Sequence, residues 1–459
     1  MYDLVIKNGR VINSDASFTA DVAIEGGKIA AVGADLTGGR EIDAAGKLVI
    51  PGGVDTHLHF TLDLGGDLVS TDDFFTGTRA AAFGGTTTVV PFIHPEEGES
   101  AAEAFNRRQR EAVGQSVVDY GWHMNIGPEA FQRPGGVRGF VEETAALGIS
   151  TYKLYMAYGY RLNDAQLLQA MEAIAGVGGL PVVHAENWEL LSHLVQRAVD
   201  EGHRHPRWHE KTRPAEFEAE AAARVIAIAR WVGLPVEIFH VGTPEVVTQI
   251  RRARREGAPV YGETCPQYLF LNKEAFEREG IEAAYAVCAP PLRSEEDRLD
   301  MWRALAQDDL QIVSTDHCPF TKEQKQAGLQ AGFHKIPGGV PSIEMRMTAL
   351  YSEGVAKGRF SENRWVELCS TFPARLHGFA QKGVIAPGCD ADLVIFDPAA
   401  CQTITAEGLH EACGWTPYEG LELTGAVEST IVRGTPVVEQ GQFTGERGIG
   451  GYVSRSGKL

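Results

Sequence analysis

Two textures of hydrophobic patterning divide the chain. Near the N-terminus, short apolar runs from Leu4 to Ile6, Val22 to Ile24 and Ile29 to Val32 alternate with polar positions and glycine, the texture of β-strands. The second and third runs flank Gly26-Gly27, which can adopt the positive φ of a tight turn and so predicts a hairpin. The same texture returns late, in Ala391 to Phe396, Ser429 to Val432 and Val437-Val438, with Gly434 between the last two. These two β-rich ends suggest one small β unit built from both termini, although the pattern leaves open whether they pair.

The middle of the chain alternates apolar strand-like runs with helix-like segments, the pattern of parallel α/β architecture. Strand candidates run from Gly53 to His59, Thr86 to Phe92, Tyr120 to Ile126, Ser150 to Met156, Leu180 to His184, Val236 to His240, Pro259 to Thr264 and Gln311 to Thr315. Between them, Val225, Ile228, Ala229 and Val232 follow helical spacing behind a start signal at Thr212 to Pro214. Eight such units fit a closed barrel better than an open sheet. The expected fold is therefore α/β, a (β/α)8 TIM barrel over residues 52–375 with a small β-sandwich domain formed by residues 1–51 and 376–440. Residues 441–459, with Gly, Ser and Arg from Gly445 onward, are expected to be a flexible or partner-docking tail.

Length agrees with this picture, because a barrel of this kind takes roughly 250 residues as one domain, well within the 459 available. Composition narrows the partners. A net charge of −19 argues against nucleic acid and anionic membrane surfaces, which need a basic patch. The N-terminus lacks a basic, then apolar, leader pattern, and no apolar run approaches the roughly 18 residues of a membrane span. The 7 cysteines include no C-x-x-C pair, which argues against a disulfide framework and for reduced thiols in the cytoplasm.

The candidate chemistry sits where a barrel places it, at the C-terminal ends of strands. His57 and His59 are two apart, so in a strand both imidazoles point to one side. His184, His240 and Asp316 each close a different strand candidate. Any one of these is more often a hydrogen-bonded structural residue than a ligand. Together, four histidines and an aspartate on one rim point to a metal centre of zinc, manganese or iron(II).

The segment Gly52 to His59 resembles the metal-binding opening of the amidohydrolase superfamily. The resemblance narrows to the hydantoinase/dihydropyrimidinase branch through Thr71 to Thr78, Ala80 to Thr87, Lys153 to Tyr158, Glu263 to Leu269 and Cys288 to Arg293, in family order and over nearly the whole chain to about residue 440. It implies hydrolysis of the ring amide of hydantoins or dihydropyrimidines to N-carbamoyl amino acids by a hydroxide bridging two divalent metals, zinc first, with manganese or iron as alternatives. It also implies that Lys153 is carbamylated and bridges the metals. His57, His59, Lys153 and Asp316 would hold one ion, and Lys153, His184 and His240 the other.

By the same resemblance Asp316 would shuttle the water proton and Tyr158 would stabilise the oxyanion. Ala289 and Gly338 stand where the branch usually has Ser and Asn, and both would offer backbone groups to a cyclic ureide. Leu64, in the loop from Leu62 to Ser70, would shape the pocket with Tyr155 and Tyr160. The family implies a homotetramer or homodimer. The rival readings are an allantoinase, a dihydroorotase, and a non-catalytic scaffold like the collapsin response mediator proteins, which lack parts of a metal set that is complete here.

Overall fold

The computed structural model describes residues 1–455. A strand forms at every place expected in the middle of the chain: Gly53–Asp55, Thr86–Val89 with Phe92–Ile93, Asp119–Tyr120 with His123–Asn125, Thr151–Tyr155, Leu180–His184, Val236–Ile238, Val260–Thr264 and Ile312–Val313. Several stop short of their expected ends, so His57, His59, His240 and Asp316 lie just past their strands and not within them. Neighbours pair in parallel throughout. The second strand is interrupted at Val90-Pro91, where the proline has no N–H to donate to a ladder.

The last strand returns to the first. His57 O accepts from Asp316 N at 2.7 Å, and His317 O accepts from His59 N at 2.7 Å. This contact lays the Asp316 strand end beside the His57 and His59 strand end. Helices cover the outside. The Ala215–Val232 helix buries Ala222, Val225, Ile226 and Ala229 at i, i+3, i+4, i+7 spacing. Ile228 and Val232 lie at the margin of that stripe, one step from where the sequence pattern centred it.

The two β-rich ends meet. Leu48–Pro51 runs parallel to Tyr2–Ile12 and antiparallel to the start of Leu393–Thr403, so strands from both termini share one nine-stranded sheet. Its own core gathers Ile6, Val11, Val22 and Ile24 with Leu393, Ile395 and Ile431. The expected hairpin joins Ser17–Glu25 to Lys28–Gly33, with Gly26 and Gly27 at φ of 56° and 76°. Lys382 joins the sheet to the barrel from a buried position, its Nζ 2.8 Å from Asp119 and 2.5 Å from Asp392.

The segment expected as a flexible or partner-docking tail is packed against the barrel as far as it is described. Tyr120 N donates to Gly451 O at 3.0 Å and Val453 N to Tyr120 O at 2.8 Å, while Arg455 is buried against the barrel. Composition misled because the glycines permit close packing rather than mobility: a Cβ on Gly450 would fall 1.8 Å from Val118 O. Residues 456–459 of that segment lie outside the described residues. Among the described residues no helix is long and apolar enough to cross a membrane.

Candidate metal centre

Barrel closure sets the first half of the centre. His57 Nε2 and His59 Nε2 both reach Asp316 Oδ1, at 3.2 and 3.3 Å. Ligand atoms of these three residues lie within 4.8 Å of one another. The second half comes from the ends of Leu180–His184 and Val236–Ile238, where His184 Nδ1 and His240 Nε2 are 2.8 Å apart. Lys153, in the middle of Thr151–Tyr155, lines the same cavity as both halves, with Nζ 4.3 Å from the Phe239 ring centroid and 4.9 Å from that of Tyr155.

Burial pushes all four of these histidines below their ordinary value, His57 and His240 furthest, so they stay neutral with a lone pair to offer. Burial also pushes the Lys153 ammonium down to about 8, against the opposing charges of Asp316 and Glu263. The donor set suits a cation. His57 Nδ1 lies 3.1 Å from Glu263 Oε2 and His184 Nε2 lies 2.8 Å from Glu186 Oε2. If those nitrogens carry the protons, the remaining lone pairs aim at Asp316 and at His240. Lone pair against carboxylate is repulsive unless a cation lies between them, whereas the His184–His240 contact is met either by one ring N–H or by a cation held by both.

Glu263 and Glu186 had no role in the sequence reading. Glu263 accepts from the Cys265 thiol at 3.2 Å and from His240 N at 3.3 Å, while burial pushes its carboxyl well up. Glu186 follows His184 by two residues, and that spacing was a usable signal. Its partner was not: Arg213, far along the chain, places Nη1 3.0 Å from Glu186 and 3.4 Å from the Tyr158 hydroxyl. Burial pushes the Tyr158 phenol well up, so it stays protonated and able to donate. Tyr158, Asp316 and His240 hold φ of 68°, 48° and 41°, a left-handed geometry that costs energy for such residues.

One cavity of about 450 Å³ brings the candidates together. His57, His59, Lys153, His184, His240 and Asp316 line it. So do Tyr155, Tyr158, Tyr160, Leu64, Ala289 and Gly338. His94 and Cys318 line it as well, and sequence reasoning missed both.

Residues 48–437 match the family model described as "Amidohydrolase family". The chain belongs to this family. Along its whole length this amidohydrolase is 42% identical to a D-hydantoinase of Streptomyces coelicolor, covering 98% of each chain. Among solved structures it superposes on a D-hydantoinase from Bacillus sp. AR9 with a TM-score of 0.96 at 41% identity, covering 100% of both chains. A dihydropyrimidinase from Brevibacillus agri NCHU1002 gives 0.95 at 41% identity, covering 99% of both.

Proposed function

We propose that this amidohydrolase opens the ring amide of hydantoins or dihydropyrimidines, adding water across the C–N bond to give an N-carbamoyl amino acid. The observation that carries the reading is the shared cavity: the six candidate ligands, the half-buried Tyr158 phenol, Ala289 and Gly338 all line one space. The hydantoinase and dihydropyrimidinase names of its relatives support the substrate class.

His57, His59 and Asp316 would hold one divalent ion and His184 and His240 a second, with a carbamylated Lys153 shared between them. Zinc is the first choice, manganese or iron the alternatives. Bound there, the pair would supply Lewis acidity that polarises the carbonyl and lowers a water pKa from 15.7 toward about 7. The chain does the rest. Asp316, partly open to the cavity, takes the proton from the attacking water and returns it to the departing ring nitrogen. The Tyr158 hydroxyl donates to the oxygen that becomes negative when water adds to the carbonyl carbon. Backbone N–H and C=O groups at Ala289 and Gly338 orient the ureide, whose substituent faces Leu64, Tyr155 and Tyr160.

We place the enzyme in the cytoplasm as a homotetramer or homodimer; the free cysteines support a reducing compartment. The test is a panel of hydantoin, 5-substituted hydantoins, dihydrouracil and allantoin with a metal assay. Expected are about two metal equivalents per chain, opening of a hydantoin or dihydropyrimidine ring, and much weaker turnover of allantoin. Allantoin as the best substrate overturns the substrate class, and a metal-free, inactive chain overturns the enzyme.

A further inference from the structure

Three walls of the cavity carry no metal ligand: the loop with Leu62 and Leu64, the turn at Ala289, and the Gly338-Gly339 backbone. One helix, Lys322–Ala331, is bonded to all three. From its first turn, Gln324 Nε2 donates to Asp67 O at 2.9 Å and to Val69 O at 3.3 Å, holding the substituent loop. One residue on, Lys325 is fully buried and donates to carbonyls on both of the other walls. Its Nζ lies 2.8 Å from Pro337 O and 2.9 Å from Gly339 O, the two residues flanking Gly338. It also lies 3.2 Å from Ala284 O and 3.3 Å from Val287 O, five and two residues before Ala289.

An ammonium has three N–H groups, and here four carbonyls compete for them. The site is otherwise apolar, with Val287, Cys288, Ile336 and Val340 packed in one cluster and the Trp415 ring centroid 5.3 Å from Nζ. Among the described residues no other side chain bonds both walls at once. The walls are laced directly where Gly339 N donates to Val287 O at 2.9 Å. One turn along the helix, Gly328 lets the backbones touch, since a Cβ there would fall 2.6 Å from Ile336 Cα and from Lys335 O.

We infer that Lys325 is a positioning residue for substrate binding: it sets the spacing between the Ala289 wall and the Gly338 backbone, and so the fit of the planar ring between them. The inference rests on the proposed reading of this cavity as the ureide site. It assigns Lys325 to binding and not to the bond-breaking step, because its ammonium touches neither the cavity nor any candidate metal ligand.

The experiment is Lys325→Met, which keeps chain length and apolar bulk but removes the donors. KM for hydantoin and for dihydrouracil is expected to rise about tenfold or more while kcat stays within about threefold and the metal content is unchanged. Lys322→Met, exposed on the same helix, leaves both constants unchanged. A folded, metal-loaded Lys325→Met enzyme with wild-type KM overturns the inference, and so does a fall in kcat at constant KM. A purely structural lysine would lower the melting temperature without this split.

Should Lys325→Met not fold, Gly328→Ala asks the same question. The added methyl pushes the 335–336 backbone and Gly338 with it, so KM is expected to rise selectively there too, and an unchanged KM overturns the inference. If the wild-type enzyme opens none of the ureides, the proposed function has failed, and that is seen before any variant is made.

Discussion

The Tyr158 hydroxyl lies 3.4 Å from Arg213 Nη1, which also holds Glu186 at 3.0 Å, and Glu186 in turn meets His184 Nε2 at 2.8 Å. A guanidinium, which cannot lose its proton, thus ties the phenol to a candidate metal ligand. If the phenol donates to charge that develops only as water adds, its loss falls on the chemical step. Tyr158→Phe is expected to lower kcat by about 10²–10³, the usual cost of one oxyanion donor, with KM and metal content little changed. Steady-state kinetics with metal analysis checks this; a mutant that loses KM and keeps kcat would assign the phenol to binding.

Lys153 is buried among aromatic rings with its amine pushed down to about 8, so a neutral fraction able to add carbon dioxide exists near neutral pH. Lys153→Ala is expected to lose most activity and bound metal, because two dications would face each other without a shared anion. Acetate or propionate at high concentration should restore part of the turnover, whereas Lys153→Arg should stay inactive, its guanidinium being unable to form a carbamate. Two retained metals and near-normal turnover in Lys153→Ala would overturn the bridging carbamate, and one retained metal with near-normal turnover would point to a one-metal site on His57, His59 and Asp316.

Gly338 and Gly339 are neighbours with opposite tolerance. A Cβ on Gly338 meets nothing nearer than Cys288 Cα at 3.9 Å, but one on Gly339 would fall 2.1 Å from Cys318 O, on a backbone with φ of 142°. Gly338→Asn is expected to fold with its melting temperature nearly unchanged and to lose turnover most for bulky ring substituents. Gly339→Ala should melt well below wild type, a strained backbone costing about 1–3 kcal/mol before the clash is counted. Thermal melts of both variants decide it, and equal stability would contradict the geometry.

His209 gives a pH dependence of defined sign. It is buried with Nε2 2.7 Å from Cys288 O, and burial pushes its pKa from 6.5 down to about 3. Below pH 6.5 the unfolded chain takes up a proton here that the folded protein refuses, so stability is lost as pH falls. The loss from this one group is about 1.4 kcal/mol per pH unit well below that value. His209→Gln should therefore show a flatter stability curve than wild type on acidification, measured by urea unfolding at several pH values; parallel curves would refute it.

Much of the fold was legible because it is written in local periodicity. Apolar runs of strand length, separated by helical stripes, define which face of each element is buried whatever its neighbours are. The hairpin at Gly26-Gly27 was readable for the same reason, since φ of 56° and 76° is a property of two adjacent residues. The candidate ligands His57, His59, His184, His240 and Asp316 stood out in the sequence by their places at or just past strand ends, whereas Lys153, Tyr158, Ala289 and Gly338 were singled out only by the family resemblance.

Tertiary structure alone decided which distant groups meet. Asp316 faces His57 because the last strand closes on the first, and Arg213 reaches Tyr158 because a helix start lies over the barrel mouth. Neither contact leaves a trace in local spacing. Lys325 drew no notice in the sequence, and it is the packing of its helix, with Gly328 against the 335–336 backbone, that sets it among four carbonyls. The glycines near residue 450 carried a false signal, because glycine marks both mobile chain and closest packing, and the neighbouring surface determines which. Sequence thus determined the elements and the ligand types, whereas the burial and pairing of polar groups, which set their charge and tautomer, depended on what the closed barrel laid beside them.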